Sequence, residues 1–115
     1  MDGTGLRISR RGAPAGTCVL VVAGEVDYDT APMLVRSLNA ALAGPPVPDS
    51  LVVDCSGLTF CGSAGLNALL TTYRSAAEGA VAFALASPLP QLRRLLRMTG
   101  VEAVLPITDT PTVHP

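Results

Sequence analysis

The segment whose residue types are best suited to binding or chemistry is Cys61 to Gly65, which reads CGSAG and places a serine among small residues. We expect Ser63 to start a helix as its N-cap, where a serine hydroxyl accepts a hydrogen bond from a first-turn N–H and adds about 1 kcal/mol of stability. The small neighbours leave this hydroxyl uncovered, and an anion on it would meet free N–H groups and the positive end of the helix dipole. Ser63 is therefore either a structural cap or a hydroxyl that another molecule can reach.

Two catalytic interpretations of this segment lack the groups they need. A serine hydrolase has the pattern G-x-S-x-G and a histidine, but Cys61 stands at the first glycine, and the single histidine, His114, lies one residue from the C-terminus. A phosphatase-like nucleophile at Cys61 would need a basic loop to hold phosphate, and Arg74 and Arg93 are distant in sequence. We therefore expect a protein that is not an enzyme and uses no cofactor.

Composition argues against several further classes of function. The chain has 115 residues, 49% of them hydrophobic, which suits one domain with a sizeable core. Nine acidic residues against eight arginines give a net charge of −1, too little positive charge to bind nucleic acid or an anionic membrane. The longest apolar run, from Cys18 to Ala23, is too short to span a bilayer, and the N-terminus shows no signal-type segment. We expect a soluble cytoplasmic protein.

The three cysteines Cys18, Cys55 and Cys61 are odd in number and form no C-x-x-C pair. Neither a disulfide framework nor a zinc site is therefore supported. Cysteine is among the residues most often buried, so we expect buried thiols and no metal site.

The hydrophobic pattern predicts the elements that would position Ser63. Leu51-Val52-Val53 indicates a buried strand that stops at Asp54 and is followed by a turn at Cys55-Ser56-Gly57. A helix then runs from Ser63 to about Gly79. Its inward residues have helical spacing and are Leu66, Leu69, Leu70, Tyr73 and Ala77.

Before this unit, the alternation from Leu6 to Arg10 predicts an edge strand, and the apolar run from Thr17 to Ala23 predicts a central one. The chain is expected to leave the sheet at Gly24-Glu25-Val26-Asp27. Asp29 or Thr30 would cap the next helix, which the glycine and prolines at positions 44–46 end. Its inward residues are Leu34, Leu38, Ala41 and Leu42.

After this unit, Ala80 to Ala86 predicts a second central strand, and Ser87-Pro88 would open a third helix. Ala103-Val104-Leu105 is interpreted as a last short strand. The order β-β-α-β-α-β-α-β predicts an α/β fold, a mixed and mostly parallel sheet of about five strands with helices packed on it. We expect one domain over residues 1–115, with a core at about 5–107 and a tail at 108–115. Function should lie in the loops at the carboxyl ends of parallel strands, residues 24–30 and 54–63.

Three segments, spread over most of positions 18 to 107, resemble one protein family. They are Gly24-Glu25-Val26-Asp27 with Thr30-Ala31-Pro32, then Asp54 to Leu66 (DCSGLTFCGSAGL), then Ser87-Pro88 with Leu95-Leu96 and Thr99-Gly100-Val101. In this order and spacing the chain resembles the STAS domain, and more narrowly the small anti-sigma factor antagonists of bacterial partner switching. Gly62 stands where that family usually has Asp, and Ala64 where it has Ser or Thr.

This resemblance implies a regulated docking protein. The unmodified form would bind an anti-sigma factor, a serine kinase of the histidine-kinase-like ATPase type, and so free a sigma factor. Phosphorylation of Ser63 by that kinase would end the binding, and a phosphatase would restore it. The partner-binding residues implied are Asp27, Thr30, Gly62, Ser63, Ala64, Gly65 and Leu66.

Several of these assignments have an alternative. Asp27 is equally well explained as a turn former and Thr30 as a plain helix cap. Arg93, Arg94 and Arg97 are better explained as a solvated helix face than as a docking patch. A binding or scaffold module of the same fold that is never phosphorylated is the alternative function, and Gly62 and Ala64 favour it.

Overall fold

The strands of the sheet lie side by side in the order in which they follow one another along the chain. The computed structural model describes residues 5–109, and the strands are β1 (Leu6–Arg11), β2 (Thr17–Val26), β3 (Ser50–Cys61), β4 (Ala82–Ala86) and β5 (Ile107–Thr108). β1 runs antiparallel to β2, and each later neighbouring pair is parallel. The predicted α/β fold with a mixed, mostly parallel sheet is confirmed.

Three α-helices connect the parallel strands and cover one face of the sheet. They are α1 (Ala31–Ala43), α2 (Ser63–Glu78) and α3 (Pro90–Met98), and a short 3-10 helix, Val101–Ala103, follows α3. Their buried leucines pack in one cluster with alternate residues of the central strands, because side chains two apart on a strand share a face. The fully buried members include Leu34, Leu38, Leu51, Leu69, Leu85, Leu92 and Leu96. None of the helices between residues 5 and 109 has the length and apolar character needed to cross a bilayer.

The opposite face of the sheet carries a smaller cluster and an ion pair. Val19, Val52 and Ala86 are buried there, with Ala13 packed against them. Asp54 follows Val52 by two residues on the same strand, is 1% exposed, and lies 2.7 Å from the guanidinium of Arg11. Burial would raise the pKa of Asp54, but a hydrogen bond from the N–H of Ser56 and the nearby Arg11 together hold that pKa below its ordinary value.

β2 and β3 are both longer than the sequence predicts. β3 does not stop at Asp54, and β2 does not leave the sheet at Gly24; the two strands stay paired as far as Val26 and Cys61. Pairing continues because β3 carries an extra residue at each of two irregularities in the register. The segment Cys55-Ser56-Gly57, which is predicted to be a turn, is therefore part of the strand. Gly24 is required here, since its φ is +101° and a Cβ would lie 2.0 Å from the carbonyl oxygen of Gly5.

Two boundaries in the C-terminal third also differ from prediction. α3 begins at Pro90 rather than at Ser87-Pro88, with Leu89 as its N-cap. The segment predicted as a last strand, Ala103-Val104-Leu105, instead follows a left-handed residue, Gly100 with φ +80°, and begins within the 3-10 helix. The last strand is β5, so the predicted tail starts too early at residue 108; residues 110–115 lie outside the described range.

Candidate functional site

Two turns at the same edge of the sheet hold the residues predicted to form the site. β2 leads into α1 through residues 27–30, and β3 leads into α2 through Gly62. Because β2 and β3 are parallel neighbours up to Val26 and Cys61, both turns emerge at adjacent carboxyl ends. Such an edge is where open α/β sheets bind their ligands.

Ser63 is the first residue of α2, and it is exposed. The N-cap is Gly62, with φ −92° and ψ −173°, so the prediction that Ser63 is the N-cap is wrong by one position. No side chain caps the helix, and within residues 5–109 the Ser63 hydroxyl takes part in no hydrogen bond. The hydroxyl therefore stands free at the start of the helix.

Backbone contacts are part of what holds the turn before Ser63. The N–H of Gly62 donates to the carbonyl oxygen of Val26 at 2.9 Å, and the N–H of Leu66 donates to the carbonyl oxygen of Gly62 at 3.0 Å. The N–H groups of the first helical turn have no acceptor within the helix, which is general for helix N-termini. They surround the hydroxyl with a weakly positive environment.

Two of the predicted partner-binding residues lie beneath this surface. Gly65 is buried, and a Cβ on it would lie 2.6 Å from Cγ1 of Val26 and 2.7 Å from Sγ of Cys61. Leu66 is only 7% exposed and belongs to the hydrophobic core. The prediction that these two residues face a partner is corrected: they pack the first turn of α2 onto the ends of β2 and β3. Gly62 and Ala64 are half-buried.

The turn at residues 27–30 is built from its own polar side chains. The Asp27 carboxylate accepts hydrogen bonds from the N–H groups of Asp29 (2.9 Å) and Thr30 (3.0 Å). The Thr30 hydroxyl accepts from the N–H of Asp27 at 2.9 Å and lies 3.1 Å from the carbonyl oxygen of Glu25, to which it can donate. Thr30 is thus the N-cap of α1 by position, but its side chain does not cap that helix.

These contacts explain the electrostatics of Asp27. The hydrogen bond from the backbone of Thr30, followed by the weaker contributions of its hydroxyl and of Asp29, holds the pKa of Asp27 below its ordinary value. The turn-forming interpretation of Asp27 is therefore confirmed by its contacts. That Asp27 and Thr30 also face a partner stays a prediction.

An apolar groove of about 560 Å³ lies between α1 and α2, next to the start of α2. The most exposed of its large side chains is Tyr28, at 85%. The groove is lined by Tyr28, Asp29, Ala31, Pro32, Val35, Ala64, Asn67, Ala68 and Thr71. Of these residues, Ala64 is among the predicted partner-binding residues, and Tyr28 and Asp29 lie in the loop at residues 24–30 that is predicted to carry function. Tyr28 offered one signal, an aromatic residue between two aspartates in a loop, and Val35 and Asn67 offered none.

The thiols near the site are not reactive groups. Burial raises the pKa of Cys61 to about 11 and, with the neighbouring Cys61 and Asp54, that of Cys55 to about 12. Both thiols are therefore protonated at neutral pH, and a protonated thiol is a poor nucleophile. The predicted burial of Cys18, Cys55 and Cys61 is confirmed.

The arginines of α3 lie mostly on its outer surface. Arg94 and Arg97 are exposed, and Arg93 forms an ion pair with the exposed Asp109 at 2.6 Å. This arrangement is that of a solvated helix face, as the sequence indicates.

Together, the exposed hydroxyl, the first-turn N–H groups and the adjacent apolar groove form a surface suited to docking. Within residues 5–109 no side chain hydrogen-bonds to the hydroxyl to activate it. The fold is that of a small α/β domain with this surface at one edge of its sheet. The family model of the STAS domain matches residues 11–113, and the chain belongs to the STAS domain family.

Proteins similar to this chain carry related descriptions. An anti-sigma F factor antagonist of Paenibacillus polymyxa is 27% identical over 94 residues, covering 82% of this chain and 80% of that protein. The anti-sigma-F factor antagonist RsfB of Mycobacterium tuberculosis is 30% identical over 95 residues, covering 83% of this chain and 75% of RsfB. The crystal structure of an anti-sigma factor antagonist from Mycobacterium paratuberculosis superposes with a TM-score of 0.83 at 31% identity, covering 92% of this chain and 87% of that one.

Proposed function

We propose that this protein is an anti-sigma factor antagonist whose binding is switched by phosphorylation of Ser63. In its unmodified form it docks onto an anti-sigma factor and so frees a sigma factor in the cytoplasm. The anti-sigma factor is a serine kinase of the histidine-kinase-like ATPase type, and its transfer of phosphate to Ser63 ends the binding. A phosphatase would return the protein to its binding form.

The observation that carries this proposal is the exposed, unbonded hydroxyl of Ser63 at the first position of α2. A kinase needs an acceptor hydroxyl that it can reach, and a buried serine would not serve. The names of the similar proteins support the partner class, since each is described as an anti-sigma factor antagonist.

The docking surface is the start of α2 together with the groove between α1 and α2. Tyr28 and Val35 offer apolar area there, and aromatic residues are enriched at the centres of protein interfaces. Gly62 has no side chain and Ala64 has only a methyl group, so a partner can approach the backbone around Ser63. Asp27 and Thr30 hold the neighbouring turn in shape and border the surface.

The physics of the switch is electrostatic. A phosphate adds about −1.5 to −2 charges, and in an interface that fits a neutral hydroxyl these charges would be desolvated without a partner. An unpaired buried charge typically costs about 3–5 kcal/mol, and about 1.4 kcal/mol corresponds to a tenfold change in affinity.

The free protein should tolerate the same phosphate. At the start of α2 the phosphate meets first-turn N–H groups and the positive end of the helix dipole. We therefore expect the phosphorylated domain to stay folded without a large conformational change.

The test compares binding of three forms to the anti-sigma factors of the host organism. Wild type and Ser63→Ala should bind alike, and Ser63→Asp should bind at least tenfold more weakly. Ser75→Asp is the matched control, because Ser75 is exposed on the same helix three turns from the site. Equal affinities for all forms would contradict the switch.

That contrary result would support the second candidate, a STAS binding or scaffold module that is never phosphorylated. Gly62 and Ala64 favour it, because they replace the Asp and the Ser or Thr that usually flank the acceptor in the antagonists this chain resembles. Incubation with ATP and the kinase, followed by mass mapping, separates the two candidates: the scaffold predicts no phosphate on Ser63.

A further inference from the structure

The end of β3 projects beyond the strand that neighbours it on one side. β3 pairs with β4 only from Ser50 to Asp54, whereas it continues beside β2 as far as Cys61. The backbone groups of the last residues of β3 that point away from β2 have no strand to bond with. Buried backbone groups without partners are costly, so a substitute is expected on that side.

Gln91, in the first turn of α3, provides this substitute for Cys61. The backbone N–H of Cys61 donates to Oε1 of Gln91 at 3.0 Å, and Nε2 of Gln91 donates to the carbonyl oxygen of Cys61 at 3.2 Å. One side-chain amide thus makes the two hydrogen bonds that a neighbouring strand would otherwise make. The two residues are 30 positions apart in the chain.

These bonds hold the peptide group between Cys61 and Gly62 at both ends. Its carbonyl oxygen accepts from Gln91, and its N–H donates to the carbonyl oxygen of Val26 at 2.9 Å. A peptide group is planar, so fixing both ends sets the direction in which the chain leaves the strand. Gly62 itself restricts the backbone little and carries no capping side chain, which makes this external hold more important.

We propose that Gln91 is a positioning residue for Ser63: it acts through the Cys61–Gly62 peptide and sets the direction of the first turn of α2. The hydroxyl is then presented at one fixed place on the docking surface although no side chain of the turn holds it. The consequence for partner binding rests on the proposed function of Ser63, whereas the effect on the turn does not.

The first arm of the test measures amide hydrogen exchange by NMR in the isolated protein. Gln91→Ala should speed exchange at Cys61 and Gly62 at least tenfold relative to wild type, with the amides of Val22 and Val53 in the central sheet unchanged. A merely structural role would instead speed exchange at all four amides together through global unfolding. Arg94→Ala is the matched control, because Arg94 is exposed on the same helix and makes no described contact with the turn.

A second variant guards against a failure of Gln91→Ala to fold. Gln91→Glu keeps an acceptor for the N–H of Cys61 but replaces the donor to its carbonyl oxygen. At neutral pH, Gln91→Glu should therefore speed hydrogen exchange at the Gly62 amide. Exchange at the Cys61 amide should be slower in Gln91→Glu than in Gln91→Ala. Exchange at Cys61 and Gly62 no faster than in Arg94→Ala would overturn the proposal.

The second arm measures affinity for the anti-sigma factor that binds wild type. Gln91→Ala should bind on the order of tenfold more weakly than Arg94→Ala. If exchange rises but affinity does not change, positioning of the docking surface by Gln91 is overturned while the proposed function stands. If wild type binds no anti-sigma factor, the proposed function fails, and the exchange measurement alone decides the role of Gln91.

Discussion

The two turns that lead from the sheet into α1 and α2 are neighbours, yet they are stabilised in different ways. The turn at residues 27–30 uses its own side chains, since the Asp27 carboxylate and the Thr30 hydroxyl are occupied by hydrogen bonds inside it. The turn at residues 61–63 has only one weak contact of this kind, from Sγ of Cys61 to the carbonyl oxygen of Gly62 at 3.6 Å. It is held mainly by the backbone of Val26, by Gln91 and by close packing at Gly65. The polar side chains of the first turn are thus engaged in hydrogen bonds within it, whereas the second turn leaves the Ser63 hydroxyl without a hydrogen bond to the described residues.

The largest effect should come from filling the close contact beneath the second turn. Gly65→Ala places a Cβ 2.6 Å from Cγ1 of Val26, and overpacking of this kind typically costs about 1–3 kcal/mol. Denaturant unfolding measures the change in the free energy of unfolding. Gly79→Ala is the control, because a Cβ there has ordinary contacts at 3.8 Å and the change should stay within about 0.5 kcal/mol. If Gly65→Ala left the free energy of unfolding unchanged, the turn would not depend on this packing.

A pair of hydroxyl deletions compares the two turns directly. Thr30→Val removes the acceptor for the N–H of Asp27, and the loss of such a hydrogen bond costs about 1 kcal/mol. Ser63→Ala removes a hydroxyl that bonds to nothing in the described residues, so the free energy of unfolding should change by less than about 0.5 kcal/mol. If Ser63→Ala were the more destabilising of the two, the hydroxyl of Ser63 would have a structural role.

Giving the second turn a capping side chain should have a smaller effect. Gly62 has extended backbone that an aspartate can adopt, and a Cβ there would lie 3.4 Å from the ring of Phe60 and 3.8 Å from the carbonyl oxygen of Val26. Since glycine is nearly as good an N-cap as aspartate, Gly62→Asp should stabilise the protein by only a few tenths of a kcal/mol, about 0.3. Thermal unfolding at low ionic strength tests this, with Gly62→Ala as the uncharged control. A destabilised Gly62→Asp protein would mean that the turn has no room for a cap.

Lowering the pH should have the most local effect, confined to the turn at residues 27–30. The pKa of Asp27 lies below its ordinary value, so its contribution to the first turn is fully present above that ordinary pKa. The contribution is lost as the pH falls through the lower pKa of the folded state. NMR titration should therefore show the amides of Asp29 and Thr30 changing with a midpoint below the ordinary pKa of aspartate. The amide signals of Ser63 and Ala64 should change less with pH. Equal changes in the two turns would contradict the view that only the first turn depends on the Asp27 carboxylate.

Much of the fold follows from the sequence because its strong signals are local. The apolar runs at Thr17 and Leu51 and the leucine spacing in each helix determine their elements almost without tertiary context. The errors arose where tertiary pairing overrides local preference. Ser56-Gly57 resembles a turn, but pairing of β3 with β2 through two irregularities keeps it extended.

The site was predictable to a smaller degree. The exposed position of Ser63 follows from helical spacing, and the same spacing already turns Leu66 inward, so its assignment to a partner surface conflicted with its place in the leucine stripe. No local pattern could indicate that Gln91 bonds to Cys61, because that contact depends on where α3 begins and where β4 ends.

In the proposed switch, charge on the Ser63 hydroxyl decides whether an anti-sigma factor can dock. It is tested most directly by the affinity of the Ser63-phosphorylated protein for the anti-sigma factor, measured beside the unmodified protein. We predict a loss of about a hundredfold or more, with the phosphorylated protein still folded. Equal affinities for the two forms would contradict the claim.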